Sequence, residues 1–118
     1  MIVVVDDERD VLEVVCSLLE DEGYSVMGLS HPIEAAVLHE AAPEPTLFLL
    51  DIMLPEMNGI ALARLLQNNG FVTTPKIAMS ASPHMLRVAK DSGLFQDTIG
   101  KPFDVDELLS CIGHYLAS

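Results

Sequence analysis

Tryptophan is absent from this chain, cysteine occurs only twice, and six lysines and arginines stand against eighteen aspartates and glutamates. The shortage of positive charge excludes most. A surface with a formal charge of −12 repels nucleic acid and anionic membranes, so any DNA contact has to come from another chain or domain. No apolar run approaches the ~18 residues that cross a bilayer. Met1 leads straight into Ile2-Val3-Val4-Val5 with no basic leader, so the sequence reads as cytoplasmic, without a signal peptide. Cys16 and Cys111 form no C-x-x-C pair; both lie among apolar neighbours and are expected to be buried small hydrophobes. His31, His39, His84 and His114 show no mutual ligand spacing and read as surface or cap residues. No repeat, low-complexity tract or linker interrupts the chain. With 118 residues, half of them hydrophobic, residues 1–118 are expected to form one domain with a core of its own.

Short apolar runs alternate with amphipathic segments, the pattern of βα units and a parallel sheet. Five strands are legible, near Ile2–Val5, Ser25–Leu29, Thr46–Leu50, Lys76–Met79 and Thr98–Ile99. The first helix should bury Val11, Val14, Val15, Leu18 and Leu19, spaced i, i+3, i+4, i+7, i+8, and end at Gly23. The second begins at Pro32 with Ile33, Ala36 and Val37 as its apolar set. The third starts near Gly59 and buries Leu62, Leu65 and Leu66. The fourth opens with Ser82-Pro83 and closes at Gly93; its stripe of Met85, Val88 and Ala89 is thin, so it should be the least stable. The fifth opens with Asp104, has Glu107 three residues on as in a capping box, and buries Val105, Leu108, Leu109, Ile112 and Leu116. The fold class is therefore α/β, an open doubly wound five-stranded sheet with five helices. Ligands in such folds bind at the carboxyl ends of the strands.

The chemistry-bearing residues fall at those ends. Asp6 and Asp7 follow the first apolar run, Asp51 follows Leu47-Phe48-Leu49-Leu50, Ser80 follows Ile77-Ala78-Met79, and Lys101 follows Ile99-Gly100. Three crowded carboxylates repel one another and need a cation to stay ionised. Mg²⁺, a hard ion that favours oxygen, suits Asp6 and Asp7. Asp51 can attack phosphorus and form an acyl phosphate, a reaction that asks the protein mainly for positioning and charge cancellation. Lys101 can pair with Asp51 before transfer and with the phosphoryl group afterwards, and Ser80 can donate to a phosphoryl oxygen. Met53 can offer its carbonyl to the metal. The plainer readings are helix capping for Asp6-Asp7, a cap or turn for Ser80 and a solvated surface charge for Lys101; convergence on one sheet edge argues against them.

The segment Asp51-Ile52-Met53-Leu54-Pro55-Glu56-Met57-Asn58-Gly59 closely resembles the phosphoacceptor signature of bacterial response-regulator receiver domains. Val4-Val5-Asp6-Asp7-Glu8, Ser80-Ala81 and Lys101-Pro102-Phe103 resemble that family's other marks, in the same order. The spacings agree as well, 44 residues from Asp7 to Asp51, 29 to Ser80 and 21 to Lys101. The resemblance implies a flavodoxin-like sheet of strand order 2-1-3-4-5. It implies that Asp51 accepts a phosphoryl group from a sensor histidine kinase, a histidine phosphotransfer protein or a small donor. Asp7, Asp51 and the Met53 carbonyl would touch Mg²⁺, and Asp6 would assist through water. Such a domain is a switch that takes part in its own phosphorylation and dephosphorylation, with no turnover of a separate substrate. An output domain or target and a phosphorylation-dependent homodimer fit the same picture.

Two positions depart from the family pattern or tune it. Thr98 stands where the family usually carries an aromatic residue or histidine, so activation is expected to be read from the loop after Ser80 and from the fourth helix. Met53 and Ser82 are poorly suited to orient an attacking water, which predicts a persistent phosphorylated state. Two other function classes fit the sequence less well. A phosphorylation-independent interaction module would have no use for the full set of reactive groups. An aspartyl-phosphate hydrolase would carry D-x-D after the first strand, where this chain has Asp6-Asp7-Glu8.

Overall fold

Five parallel strands order themselves β2-β1-β3-β4-β5 in the computed structural model, which describes residues 1–38 and 45–116. The strands are β1 (Ile2–Val5), β2 (Val26–Leu29), β3 (Leu47–Asp51), β4 (Lys76–Ser80) and β5 (Asp97–Gly100). The helices are α1 (Arg9–Asp21), α2 (Pro32–Ala36), α3 (Gly59–Asn68), α4 (Pro83–Asp91) and α5 (Val105–Leu116). His39, read from the sequence as a surface residue, lies outside the described residues.

Strand pleating sends alternate side chains to opposite faces, and both faces are buried because helices cover each. Val3, Val5, Phe48, Leu50 and Ala78 pack with Ala35 of α2, Leu62, Ala63 and Leu66 of α3 and Ala89 of α4. Ile2, Val4, Leu47, Leu49, Ile77, Met79 and Ile99 pack with Val15 and Leu19 of α1 and Leu108 and Ile112 of α5. Strands buried on both sides read as continuous apolar runs, which is why β1, β3 and β4 were legible.

The helix faces are narrower than their spacing implied. Val14, Ile33, Val37 and Val105 are exposed, and α2 is a single short helix resting on Pro32 and Ala35. Small helices over a five-stranded sheet need only one or two residues per turn to reach it, so the outer members of each apolar set stay in water. In α4 only Ala89 is fully buried, as its thin stripe predicted. Cys16 and Cys111 are free thiols, half-buried rather than fully buried, and pack against the core on the α1 and α5 face. The caps at Ser82 and Asp104 follow the sequence reading, and Asn58 adds one at the start of α3. Asn58 Oδ1, Ser82 Oγ and Asp104 Oδ1 accept from the N–H groups of Ala61, Met85 and Glu107. Gly23 and Gly93 end their helices at positive φ.

Candidate functional site

Register alone brings the reactive residues together. Val5 sits beside Leu50 across β1 and β3, so Asp6 and Asp51 emerge as neighbours from adjacent strand ends, ~4.8 Å apart in the sheet direction. Asp51 sits beside Met79, and Ser80 beside Gly100. Lys101 follows Gly100, and its backbone N–H donates to Ser80 O at 2.9 Å. The peptide bond between Lys101 and Pro102 is cis.

Asp6, Asp51 and Ser80 are buried, and the Lys101 ammonium closes the pocket from the β5 side. Its Nζ donates to Asp6 Oδ2 at 2.7 Å and to Asp51 Oδ2 at 3.1 Å, and lies 3.9 Å from Glu8 Oε1. The other carboxylate oxygens are held by local turns. Asp6 Oδ1 accepts from Glu8 N–H, and Asp51 Oδ1 accepts from Met53 N–H, each at 2.9 Å. Both aspartates thus grip the residue two ahead, as Asx turns do. Helix capping is not the role of Asp6: the N-cap of α1 is Glu8, whose side chain makes no cap hydrogen bond. Ser80 is not the cap of α4 either; Ser82 is.

Burial pushes the Asp6 carboxyl up from its ordinary range, against the pull of Lys101 and the Glu8 N–H, and the nearby charge of Asp51 pushes the same way. For Lys101, burial works against the charged form, but hydrogen bonding to Asp6 and the charges of Asp51 and Asp6 outweigh it and raise its pKa. Both groups therefore hold their protons more tightly than they would in water.

The oxygens of Asp6, Glu8 and Asp51 lie within 4.8 Å of one another, a set that could hold a metal ion. Three hard carboxylate oxygens suit Mg²⁺ or another small divalent cation. Asp7 is exposed and is not in this set, while Glu8, absent from the metal residues read from the sequence, is. The signal for Glu8 was present: a residue two beyond a buried Asp is drawn back by the Asx turn. Met53 is exposed beside Asp51, with its side chain in solvent.

A family model for the response regulator receiver domain matches residues 2–113. The chain belongs to the response regulator receiver family. It is 34% identical over 112 residues to the transcriptional regulatory protein DltR of Streptococcus agalactiae, covering 94% of this chain and 49% of that protein. It is 34% identical over 110 residues to the response regulator MprA of Mycobacterium avium, covering 92% of this chain and 47% of that one. The receiver thus spans about half the length of the curated relatives it matches. Among solved structures it is similar to the receiver domain of NtrX from Brucella abortus, with TM-score 0.88, 28% identity and coverage of 100% and 99% of the two chains. It is also similar to the receiver domain of the sensor histidine kinase PA1611 from Pseudomonas aeruginosa, with TM-score 0.88, 25% identity and coverage of 99% and 97%. That structure is described with a magnesium ion coordinated in the active-site cleft.

Beside the acidic pocket the receiver carries an open cleft of about 510 Å³. Val11, Val14 and Val15 of α1 form one wall, and Ala81, Pro102 and Phe103 form the other. Glu8 and Lys101 line the end nearest the carboxylates. Val14, misplaced in the core by helical spacing alone, is an exposed residue of this cleft. Ser80 Oγ accepts from Ser82 N–H at 3.1 Å, and Ser82 Oγ accepts from Met85 N–H at 3.2 Å. The buried hydroxyl is therefore two hydrogen bonds from the first turn of α4. The described part of the receiver has no helix long and apolar enough to cross a membrane.

Proposed function

We propose that this receiver, taken as one domain over residues 1–118, is the phosphoacceptor switch of a two-component phosphorelay. Asp51 is the nucleophile. Its carboxylate oxygen forms a bond to phosphorus as the P–N bond of a phosphohistidine breaks, and the electron pair leaves on the imidazole. Acetyl phosphate can serve as donor in the same way, with acetate leaving as its P–O bond breaks. Burial of Asp51 and Asp6 beside Lys101 supports this reading most strongly, because it fixes the nucleophile and its counter-charge before the donor arrives.

Asp7, Asp51 and the Met53 carbonyl would hold the cation, with Asp6 assisting through water and the Glu8 carboxylate near enough to join them. Bound there, Mg²⁺ would neutralise charge on the transferring phosphoryl oxygens. Lys101 then pairs with the phosphoryl group in place of the Asp51 oxygen. Ser80 releases the Ser82 N–H and donates to the phosphoryl group, which loosens the start of α4. The surface of α4 and β5 changes for an output domain, a target or a second copy. The apolar cleft between α1 and Phe103 accepts the helix of a cytoplasmic histidine kinase or phosphotransfer protein that carries the phosphohistidine. The domain turns over no separate substrate.

The test is intact mass after incubation with MgCl₂ and acetyl phosphate. One phosphoryl adduct should form in the wild type and none in Asp51→Asn. A wild type that stays unmodified with both acetyl phosphate and a phosphorylated phosphotransfer protein would mark an interaction module without this chemistry.

A further inference from the structure

Ile52 and Leu54 are buried, while Met53 between them is 59% exposed. The backbone there is fixed, because the Met53 N–H donates to Asp51 Oδ1 at 2.9 Å. The side chain therefore stays outside, beside the carboxylate. The chain holds six methionines and two cysteines, and of these only Met53 is exposed. Met79 is fully buried; Met1, Met27, Met57, Met85, Cys16 and Cys111 are half-buried. A thioether open to solvent is a target for peroxide. The thiols compete poorly, since burial raises both and the thiolate is the reactive form. The most exposed sulfur-bearing side chain of the receiver thus belongs to a residue one hydrogen bond from Asp51.

We propose that Met53 is an oxidation site through which a hydroperoxide shortens the life of the phosphorylated receiver. This rests on the reading above that Asp51 carries the phosphoryl group. In the oxidation the peroxide O–O bond breaks and one oxygen bonds to Met53 Sδ. The other oxygen leaves as water or an alcohol; the sulfur is oxidised and the peroxide reduced. The apolar side chain becomes a polar sulfoxide. A thioether sulfur is a weak acceptor, whereas the sulfoxide oxygen accepts a hydrogen bond from water and turns the water's lone pair toward the acyl phosphate. The water oxygen then bonds to phosphorus as the P–O bond to Asp51 breaks, and the electron pair returns to the carboxylate. One water proton stays on the phosphate and the other passes to solvent. Reduction of the sulfoxide restores the long-lived state.

The experiment treats the receiver with dilute hydrogen peroxide, then with dithiothreitol to restore any oxidised thiol. Peptide mass mapping locates the added oxygen. The protein is next phosphorylated with acetyl phosphate and MgCl₂, and loss of the label is timed in wild type, Met53→Leu and Met53→Gln. Oxygen should appear on Met53 before any other methionine. The label on the oxidised wild type should then decay about five-fold faster, the scale of one net hydrogen bond in a transition state. Methionine sulfoxide reductase should reverse the change, and peroxide should not alter the decay in Met53→Leu. Oxidation of another methionine first overturns the proposal. So does an oxidised Met53 with unchanged or slower decay, or an equal acceleration in Met53→Leu. A second measurement needs no peroxide: Met53→Gln, with a side-chain oxygen in place of the thioether, should lose its label faster than Met53→Leu, and equal or slower loss rules the water-orienting role out. A wild type that takes no phosphoryl group from acetyl phosphate or from a phosphorylated phosphotransfer protein sinks the phosphoacceptor reading and this inference with it. A labelled receiver indifferent to oxidation sinks this inference alone.

Discussion

Lys101 donates to Asp6 at 2.7 Å, a shorter contact than the 3.1 Å it makes to Asp51, although Asp51 is its expected partner. The two residues are 95 apart in sequence. Asp6 is the more deeply buried carboxylate, and a group that has lost all its water gains most from a charged donor. Lys101 thus ties β5 to β1 across the strand ends, and it leaves Asp51 as the carboxylate more easily surrendered to a ligand.

Removing that tie should weaken the fold. Lys101→Met leaves buried Asp6 facing Asp51 and Glu8 without a counter-charge, and breaking a buried pair from one side costs about 3 kcal/mol or more near neutral pH. The sign with pH follows from the raised pKa values. Lys101 contributes stability that is complete below pH 10.5 and is lost as pH rises through its higher folded value. The folded carboxyl of Asp6 also holds its proton too tightly, so its contribution is complete below pH 3.8 and declines as pH rises through its raised value. Urea unfolding at acid, neutral and alkaline pH should show Lys101→Met losing most near neutrality and least at acid pH, where Asp6 is protonated. An equal loss across the range would contradict the pairing.

Magnesium should stabilise the receiver by mass action. At a hundredfold excess over its dissociation constant the gain is about 2.7 kcal/mol, and chelation should reverse it. Asp6→Asn and Asp51→Asn should each shrink the rise in Tm produced by MgCl₂, measured by circular dichroism. An undiminished rise in both variants would place the ion elsewhere.

The path from Ser80 through Ser82 to Met85 predicts where a phosphoryl signal is felt. Ser82→Ala should cost about 1 kcal/mol as a lost N-cap. Amide exchange with and without a phosphoryl mimic should change across residues 80–92, most at the start of α4. Unchanged protection there, with changes confined to β5 around Thr98, would move the readout off α4.

The lifetime of the phosphorylated state is a separate matter. Met53 is exposed and apolar, and Ser82 is small with its Oγ held toward the Met85 N–H at the start of α4, so neither is well suited to orient water toward the phosphoryl group. Label on the purified domain should last well beyond seconds at neutral pH; decay within seconds would refute this.

Cys111 gives a readout remote from the site. Burial, then the Asp97 carboxylate and its hydrogen bond, push its thiol up to about 12. The stability it lends is complete below pH 9.0 and is lost only as pH rises through about 12. Iodoacetamide should label native Cys111 slowly even at pH 10 and rapidly after unfolding. Asp97→Asn should speed native labelling, since the thiolate is the reactive form.

Apolar runs ending in Asp6, Asp51 and Ser80 announced a buried parallel sheet, because strands covered on both faces need no polar alternation. The sheet's parallel geometry carries those ends to one edge, so the meeting of Asp6, Asp51 and Ser80 is legible in the chain. Gly59 was legible as a helix start but not for its reason: a Cβ there would collide with the Asp51 carbonyl oxygen, so only glycine lets α3 begin so close to the site.

What the sequence could not decide depends on directions finer than element order. Helical spacing marked Val14, Ile33 and Val37 as apolar, but how far each helix leans over the sheet decides which rows are covered, and these three stay in water. Adjacent aspartates looked alike, yet the turn after β1 buries Asp6, exposes Asp7 and brings Glu8 back toward the pocket. The hydrophobic pattern that marks strands and helices is an average over many residues, which the sequence records, whereas the strand order came from the resemblance of whole motifs to the receiver family. Which of three neighbouring carboxylates meets Lys101 is set by one hydrogen bond and one backbone turn, and only the folded chain places them.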